Sequence, residues 1–338
     1  MSGFSNLLIP AVLFFGLGFL ARVIKSDLRM PPDMAKMLSI YLLMAIGLHG
    51  GYELGKADMS TALNAVLWAV ILGFTLPLIG YTLLVMTRRV DQMNAAAIAA
   101  HYGSVSAGTF LTAIAYLDNQ NIPYESYPLI MLAVMESPAI IVGLLLASWS
   151  RQRLVAAGSQ DGAGVAVLEP GGGNGTIQKL LHEAFTNGSV ILLIGSMFIG
   201  AIASPSSVAK LFPFIDEIFM GVLCLFLFEM GMDAGRRIRE FRKVGAVLVA
   251  FGLLMPLIGG TAGIVVGHYI LGLSVGGTTL VAILGASASY IAVPPAMRLA
   301  VPEANPSFYL TLSLGITFPF NVLVGIPLYH SFAVFVAS

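Results

Sequence analysis

Apolar positions along this chain keep neither to alternate residues nor to one helical face. They run on for about twenty residues at a time, the length a helix needs to cross a hydrocarbon layer. Ten such runs are predicted as spans, at about 6–24, 34–54, 62–86, 93–117, 126–149, 188–204, 211–232, 245–271, 274–299 and 306–336. Short polar clusters separate them, and the charges in those clusters are unevenly shared. Of 17 Lys and Arg, 15 fall in the first, third, fifth, seventh and ninth connections, from Arg22, Lys25, Arg29 and Lys36 through to Arg298. The other connections hold only Lys56 and Lys210. Positive charge stays on the cytoplasmic side, so both termini are expected outside.

Met1 to Asn6 carry no basic residue, and the apolar run after them ends in Arg22 and Lys25. A cleaved signal peptide has the reverse order, so the first run is expected to be a retained span. The longest connection, 151–187, holds "AAGSQDGAG" and "EPGGGNG" and is expected to be a flexible linker, with a short amphipathic helix from Ile177 to Phe185. It divides the ten spans five and five, giving a first unit over 1–150 and a second over 188–338.

The two units repeat each other. "GFTLPLIG" at 73–80 returns as "GLLMPLIG" at 252–259, each in the third span of its half. The second spans end in Gly47-Leu48-His49-Gly50-Gly51 and Gly231-Met232-Asp233-Ala234-Gly235. The fourth break into Gly103-Ser104-Val105-Ser106-Ala107-Gly108 and Gly285-Ala286-Ser287-Ala288-Ser289. "NIPYESY" and "ANPSFY" open the fifth, followed by Pro138 and Pro319. Five is odd, so the second copy enters the membrane upside down, the inverted repeat common among secondary transporters. The predicted fold is therefore an all-α polytopic membrane protein of ten spans in two inverted repeats.

The small-residue runs in spans four and nine are where backbone could leave the helix. They combine hydroxyls with glycine, and Pro294-Pro295 suits the first turn of a second half-helix. Small residues also serve close helix packing; recurrence at equivalent places and the proline pair favour discontinuous helices. No Lys or Arg lies deep in a span, so an anion there would be held by free N–H groups at half-helix ends. The opposing carboxyl ends and hydroxyls suit a hard cation such as Na⁺. A small monovalent anion paired with Na⁺ crosses as a neutral couple.

Glu136, before Ser137-Pro138, is an intramembrane acid and a functional candidate, or else a cap on backbone freed by the proline. Asn321 stands near the equivalent place after Pro319. Glu229 and Asp233 precede Arg236 and Arg237 and are expected to form interfacial ion pairs with them. His101 beside Ser104 and Ser106 admits an intramembrane serine hydrolase, though nothing supplies a positioned third group. The remaining histidines show no metal-ligand spacing.

Composition agrees with the pattern. The chain is 57% hydrophobic and 10% charged, with a mean hydropathy of +0.89, against about a quarter charged in soluble domains. Net charge is zero and basic residues form no long block, so nucleic-acid binding has no support. The lone Cys224 pairs with no other cysteine of this chain.

"AIGLHGG" (45–51), "GSVSAGT" (103–109), "IPYESY" (122–127), "MGMDAGRRIREFRKV" (230–244), "PPAMRLAVPEANPSFY" (294–309) and "GIPLY" (325–329) resemble the cyanobacterial-type sodium-dependent bicarbonate transporter family, the SbtA-type permeases. The resemblance implies crossed broken helices with bicarbonate and Na⁺ at the crossing, a homotrimer in the bacterial inner (plasma) membrane, and a cytoplasmic face open to a PII-like regulator. The chain departs from the family pattern in Glu136 and Tyr290, where the family carries Asp, and in Ala45, where it carries Lys. Carried over, the anion is expected at Gly103, Ser104, Val105, Ser106, Ala286, Ser287 and Ser289. Sodium is expected at Ser106, Thr109, Glu136, the Tyr290 backbone and Asn321. The expected activity is sodium-coupled symport by alternating access, with spans four, five, nine and ten as an elevator-like core and no catalytic residue or organic cofactor. The alternative is a sodium- or proton-coupled carrier of another small organic acid.

Overall fold

The computed structural model describes residues 9–28, 30–55, 58–156, 188–237 and 241–338. Most of the glycine-rich linker and the helix expected over Ile177–Phe185 lie outside them. The described residues form helices and connections, with no strand. In chain order the principal helices are α1 Pro10–Val23, α2 Pro32–Leu54, α3 Met59–Met86, α4 Gln92–Gly103, α5 Ala107–Asn119, α6 Tyr127–Ala156, α7 Gly188–Ile202, α8 Pro205–Ala209 and α9 Phe219–Arg237. They continue with α10 Gly245–Ile270, α11 Val275–Ala286, α12 Val293–Ala300 and α13 Pro306–Ala337.

Five helices among the described residues are long and apolar enough to cross a membrane: α2, α3, α6, α10 and α13. With the ten predicted runs this makes a multi-pass membrane protein. The other runs look different for separate reasons. α1, α7 and α11 are apolar but of 12–15 residues; α9 carries Glu229, Asp233, Arg236 and Arg237. The fourth run is divided between α4 and α5, and the ninth between α11 and α12.

Local sequence sets the ends. Asp58 caps α3 by accepting from the Thr61 amide at 2.8 Å, and Asp91 caps α4 through the Asn94 amide at 2.9 Å. α10 leaves its preceding turn at Gly245, whose φ of 79° lies in the left-handed region that glycine adopts without penalty. α13 is not uniform: its turns widen to π geometry over Thr311–Thr317 and Asn321–Gly325. Pro319, between them, has no N–H for the α-helical ladder.

The helices pair by glycine contact. α1 lies on α9, and α2 on α7. A Cβ on Gly18 would stand 1.9 Å from the Phe228 carbonyl oxygen, and one on Gly200 would stand 2.3 Å from that of Leu48. Gly231 meets Phe15 and Gly51 meets Met197 equally closely. Backbones that near each other exclude any side chain. α3 packs on α4 and α6, while α10 packs on α11. α4, α5 and α11 are enclosed on all sides by these neighbours, whereas Leu13, Leu17, Leu67, Phe198, Ile199 and Leu254 are exposed on the outer helices.

Candidate functional site

α4 ends at Gly103 and α5 begins at Ala107, with Ser104 (φ −90°, ψ 175°) and Ser106 (φ −112°, ψ 107°) extended between them. Likewise α11 ends at Ala286, Ser287 is extended, and α12 starts at Val293 with proline in its first turn. Non-helical backbone at such depth needs every polar group satisfied within the protein. The two segments satisfy each other. The Ser106 amide donates to Ser287 Oγ at 3.0 Å, and the Ser289 amide donates to the His101 carbonyl at 2.8 Å. Ser287 Oγ in turn donates to the Leu284 carbonyl at 3.0 Å. Asn321 Nδ2 donates to the Ala286 carbonyl at 2.8 Å, closing the end of α11.

Ser106 is also the N-cap of α5. Its Oγ accepts from the Thr109 amide at 3.2 Å and from the Thr109 hydroxyl at 2.9 Å. The Phe110 amide is taken by the Ser106 carbonyl. The first-turn amides of Ala107 and Gly108 lie at the positive end of the helix dipole.

Beside this junction is a cavity of about 10 Å³, the room of one water, lined by Ser39, Leu43, Val105, Ser106, Ala107, Glu136, Ser289, Tyr290 and Ile291. Five of the residues expected from sequence meet there: Val105, Ser106, Glu136, Ser289 and Tyr290. Glu136 Oε2 is buried with no hydrogen-bond partner, as are Ser104 Oγ and Asn321 Oδ1. The cap on proline-freed backbone considered for Glu136 therefore leaves that oxygen unused.

The other expected residues stand behind the cavity. Gly103 presses on α3, where a Cβ would lie 2.0 Å from Pro77 Cγ. Ser104, Thr109, Ala286, Ser287 and Asn321 are buried in the junction itself. The site expected from sequence lacked Ser39, Leu43, Ala107 and Ile291, which line the cavity as well. Ser39 had a signal, the one serine in the apolar run of α2. Gly108, at the end of the small-residue run, packs against Tyr290: a Cβ there would sit 2.3 Å from its hydroxyl, a contact that only folding creates.

A second space, of about 890 Å³, opens at the end of the molecule that carries Arg236, Arg237, Arg298 and Lys36. It shares Ser39, Leu43, Tyr290 and Ile291 with the small cavity. A third, of about 620 Å³, lies at the opposite end among His49, Glu53, Asp118 and Asp216 and shares no lining residue with the small cavity.

A model of the Na⁺-dependent bicarbonate transporter superfamily matches residues 10–334. The chain belongs to this superfamily. A search of curated proteins finds no match.

The residues present are of a kind that suits one of the ions in the superfamily name, the sodium ion. Na⁺ is a hard cation satisfied by oxygen, and Glu136, Ser39, Ser106, Ser289 and Tyr290 present oxygens to one cavity. A cavity of about 10 Å³ has room for a monatomic cation and not for an anion of the size of bicarbonate. His101 has a different place. Its Nδ1 bonds the Ala97 carbonyl at 2.6 Å, its Nε2 has no partner, and its ring stacks on Tyr309 at 4.4 Å. Neither nitrogen bonds Ser104 or Ser106, so the nucleophile and base of a hydrolase are not paired. Asp233 forms the expected ion pair, with Arg236 at 2.7 Å. Glu229 does not complete the other: its Oε2 is buried without a partner.

Two ties lock the neighbouring helices at their ends. Arg151 Nε and Nη2 each donate to Glu303 at 2.8 Å, and Nη2 donates to the Ala300 carbonyl at 2.7 Å. The Arg151 guanidinium holds the Glu303 carboxyl below the usual range. At the opposite end Glu125 accepts from the Ser274 amide at 2.8 Å and its hydroxyl at 3.0 Å.

Proposed function

We propose that this protein is a Na⁺-coupled bicarbonate symporter of the bacterial inner membrane, working by alternating access. The observation that carries the reading is the cavity where an unpartnered Glu136 oxygen faces the N-terminal end of α5. A carboxylate there favours a cation, and the Ala107 and Gly108 amides favour an anion beside it. Loaded together, the two charges cancel and the desolvation cost of crossing falls.

The two broken runs act as crossed discontinuous helices of an inverted repeat of ten spans. The glycine contacts favour this: Gly18 and Gly200, Gly47 and Gly231, and Gly51 and Gly235 recur at a chain offset of 182–184 residues and pair α1 with α9 as α2 pairs with α7. The moving core holds α4, α5, α6, α11, α12 and α13. Because α3 and α10 pack on it so closely, it carries them as well. The Arg151–Glu303 and Glu125–Ser274 ties make it one body. It slides against a scaffold of α1, α2, α7 and α9.

The basic end is cytoplasmic and both termini face outward. The 890 Å³ vestibule then opens inward, and its sharing of four lining residues with the junction cavity favours access from that side. A homotrimer and a PII-like regulator follow from the family resemblance.

Uptake of labelled bicarbonate into proteoliposomes, with and without an imposed sodium gradient, tests the reading. Sodium-driven uptake is expected. Uptake that ignores sodium and follows a pH gradient would overturn it in favour of a proton-coupled carrier of small organic acids.

A further inference from the structure

On α9, Glu229 is only 7% exposed, yet it lines the 890 Å³ vestibule and its Oε2 meets no donor. One turn further on, Asp233 is neutralised by Arg236 at 2.7 Å. Glu229 is thus the acid of this stretch with an oxygen left to offer. An unpaired buried carboxylate is costly unless a cation or a proton joins it.

The vestibule adjoins the junction cavity at Ser39, Leu43, Tyr290 and Ile291, which line both. Unpartnered carboxylate oxygens therefore occur at Glu136 and at Glu229, which line the two adjoining spaces. Their helices differ. Glu136 is on α6, tied to α3 and α4, while Glu229 is on α9, whose chief partner is α1.

We propose that Glu229 is a second binding position for a monovalent cation, which Na⁺ occupies between the junction and the basic-end vestibule. The proposal rests on the sodium-coupled reading above. A single carboxylate completed by water offers fewer protein oxygens than the junction, so it holds Na⁺ more weakly. Weak holding suits an exit, since an ion passed along a path must bind well enough to arrive and loosely enough to leave. Placing the position on the helices that do not carry Glu136 lets the core move on without its ion.

Radioactive sodium binding to the full-length protein in lipid nanodiscs, without bicarbonate, tests this. The wild type is expected to show a tighter and a weaker component. E229Q should lose the weaker one and keep the tighter, and E136Q should do the reverse. Unchanged two-component binding in E229Q overturns the inference and leaves the sodium-coupled reading intact. No sodium binding by the folded wild type overturns that reading itself. Should E229Q fail to fold, E229D keeps the charge on a shorter arm and is expected to weaken the second component several-fold; an unchanged isotherm there overturns the inference.

Discussion

The amide of Ser106 donates to Ser287 Oγ at 3.0 Å, joining two residues 181 positions apart. Each belongs to a stretch where a helix stops inside the protein, and neither stretch satisfies its backbone alone. Ser287→Ala leaves the Ser106 amide buried without an acceptor, a loss of about 1–3 kcal/mol. Thermal unfolding in detergent should show a lowered midpoint, and Ser287→Thr, which keeps the hydroxyl, should recover most of it. Equal midpoints for the alanine variant and wild type would show that the amide finds water.

Gly103→Leu should abolish bicarbonate binding. Even a Cβ at that position meets Pro77 Cγ at 2.0 Å, so the end of α4 must move away from α3 and take Ser104 to Ser106 with it. Isothermal titration of bicarbonate in saturating sodium checks this. Unaltered affinity in the folded variant would remove the junction as the site.

Glu136→Gln keeps the shape of the cavity and removes its charge. Sodium affinity should fall at least tenfold, about 1.4 kcal/mol, while the fold is retained. The sodium dependence of bicarbonate uptake reads the change directly. A variant with native sodium dependence would exclude the carboxylate as a ligand.

Gly18→Ala and Gly200→Ala should both destabilise, because each drives a methyl group into a carbonyl of the facing helix, Phe228 in one case and Leu48 in the other. Overpacking of this kind costs about 1–3 kcal/mol. If α1 on α9 and α2 on α7 are the same interface seen twice, the two losses should agree; a clear inequality in chemical-denaturant midpoints would separate them.

The Arg151–Glu303 pair gives a signed dependence on pH. Glu303 titrates lower in the folded protein than in the unfolded chain because Arg151 holds its charged form. Its contribution is present above the ordinary carboxylate range, near pH 4.5, and is lost as pH falls through the lower folded value. Melting curves from neutral to acid pH should show a steeper decline for wild type than for Glu303→Gln. Parallel curves would mean that the tie contributes nothing.

The chain's own pattern determined a great deal. Long apolar runs with sparse charge have few folded outcomes other than a bundle of membrane helices, because lipid supplies no partner for exposed backbone. The returning Pro-Leu-Ile-Gly frame and the matched glycines were visible for the same reason: close helix contact demands particular small residues at fixed places. Glu136 stood out as an acid in an apolar run, and the serine-glycine stretches as backbone free to leave a helix.

Only the tertiary structure decided which of those residues share a space. Gly103 and Ser104 belong to the same short motif as Val105 and Ser106, yet they face α3 and the junction interior while their neighbours line the cavity. Ser39 and Leu43 reach it from α2, at a distance along the chain that no local pattern spans. Glu229 looked like one more member of an interfacial ion-pair cluster until packing gave Arg236 to Asp233. Periodicity and composition act on neighbours within a few turns, whereas a binding site is made of side chains whose only relation is that folding brings them within a few ångströms.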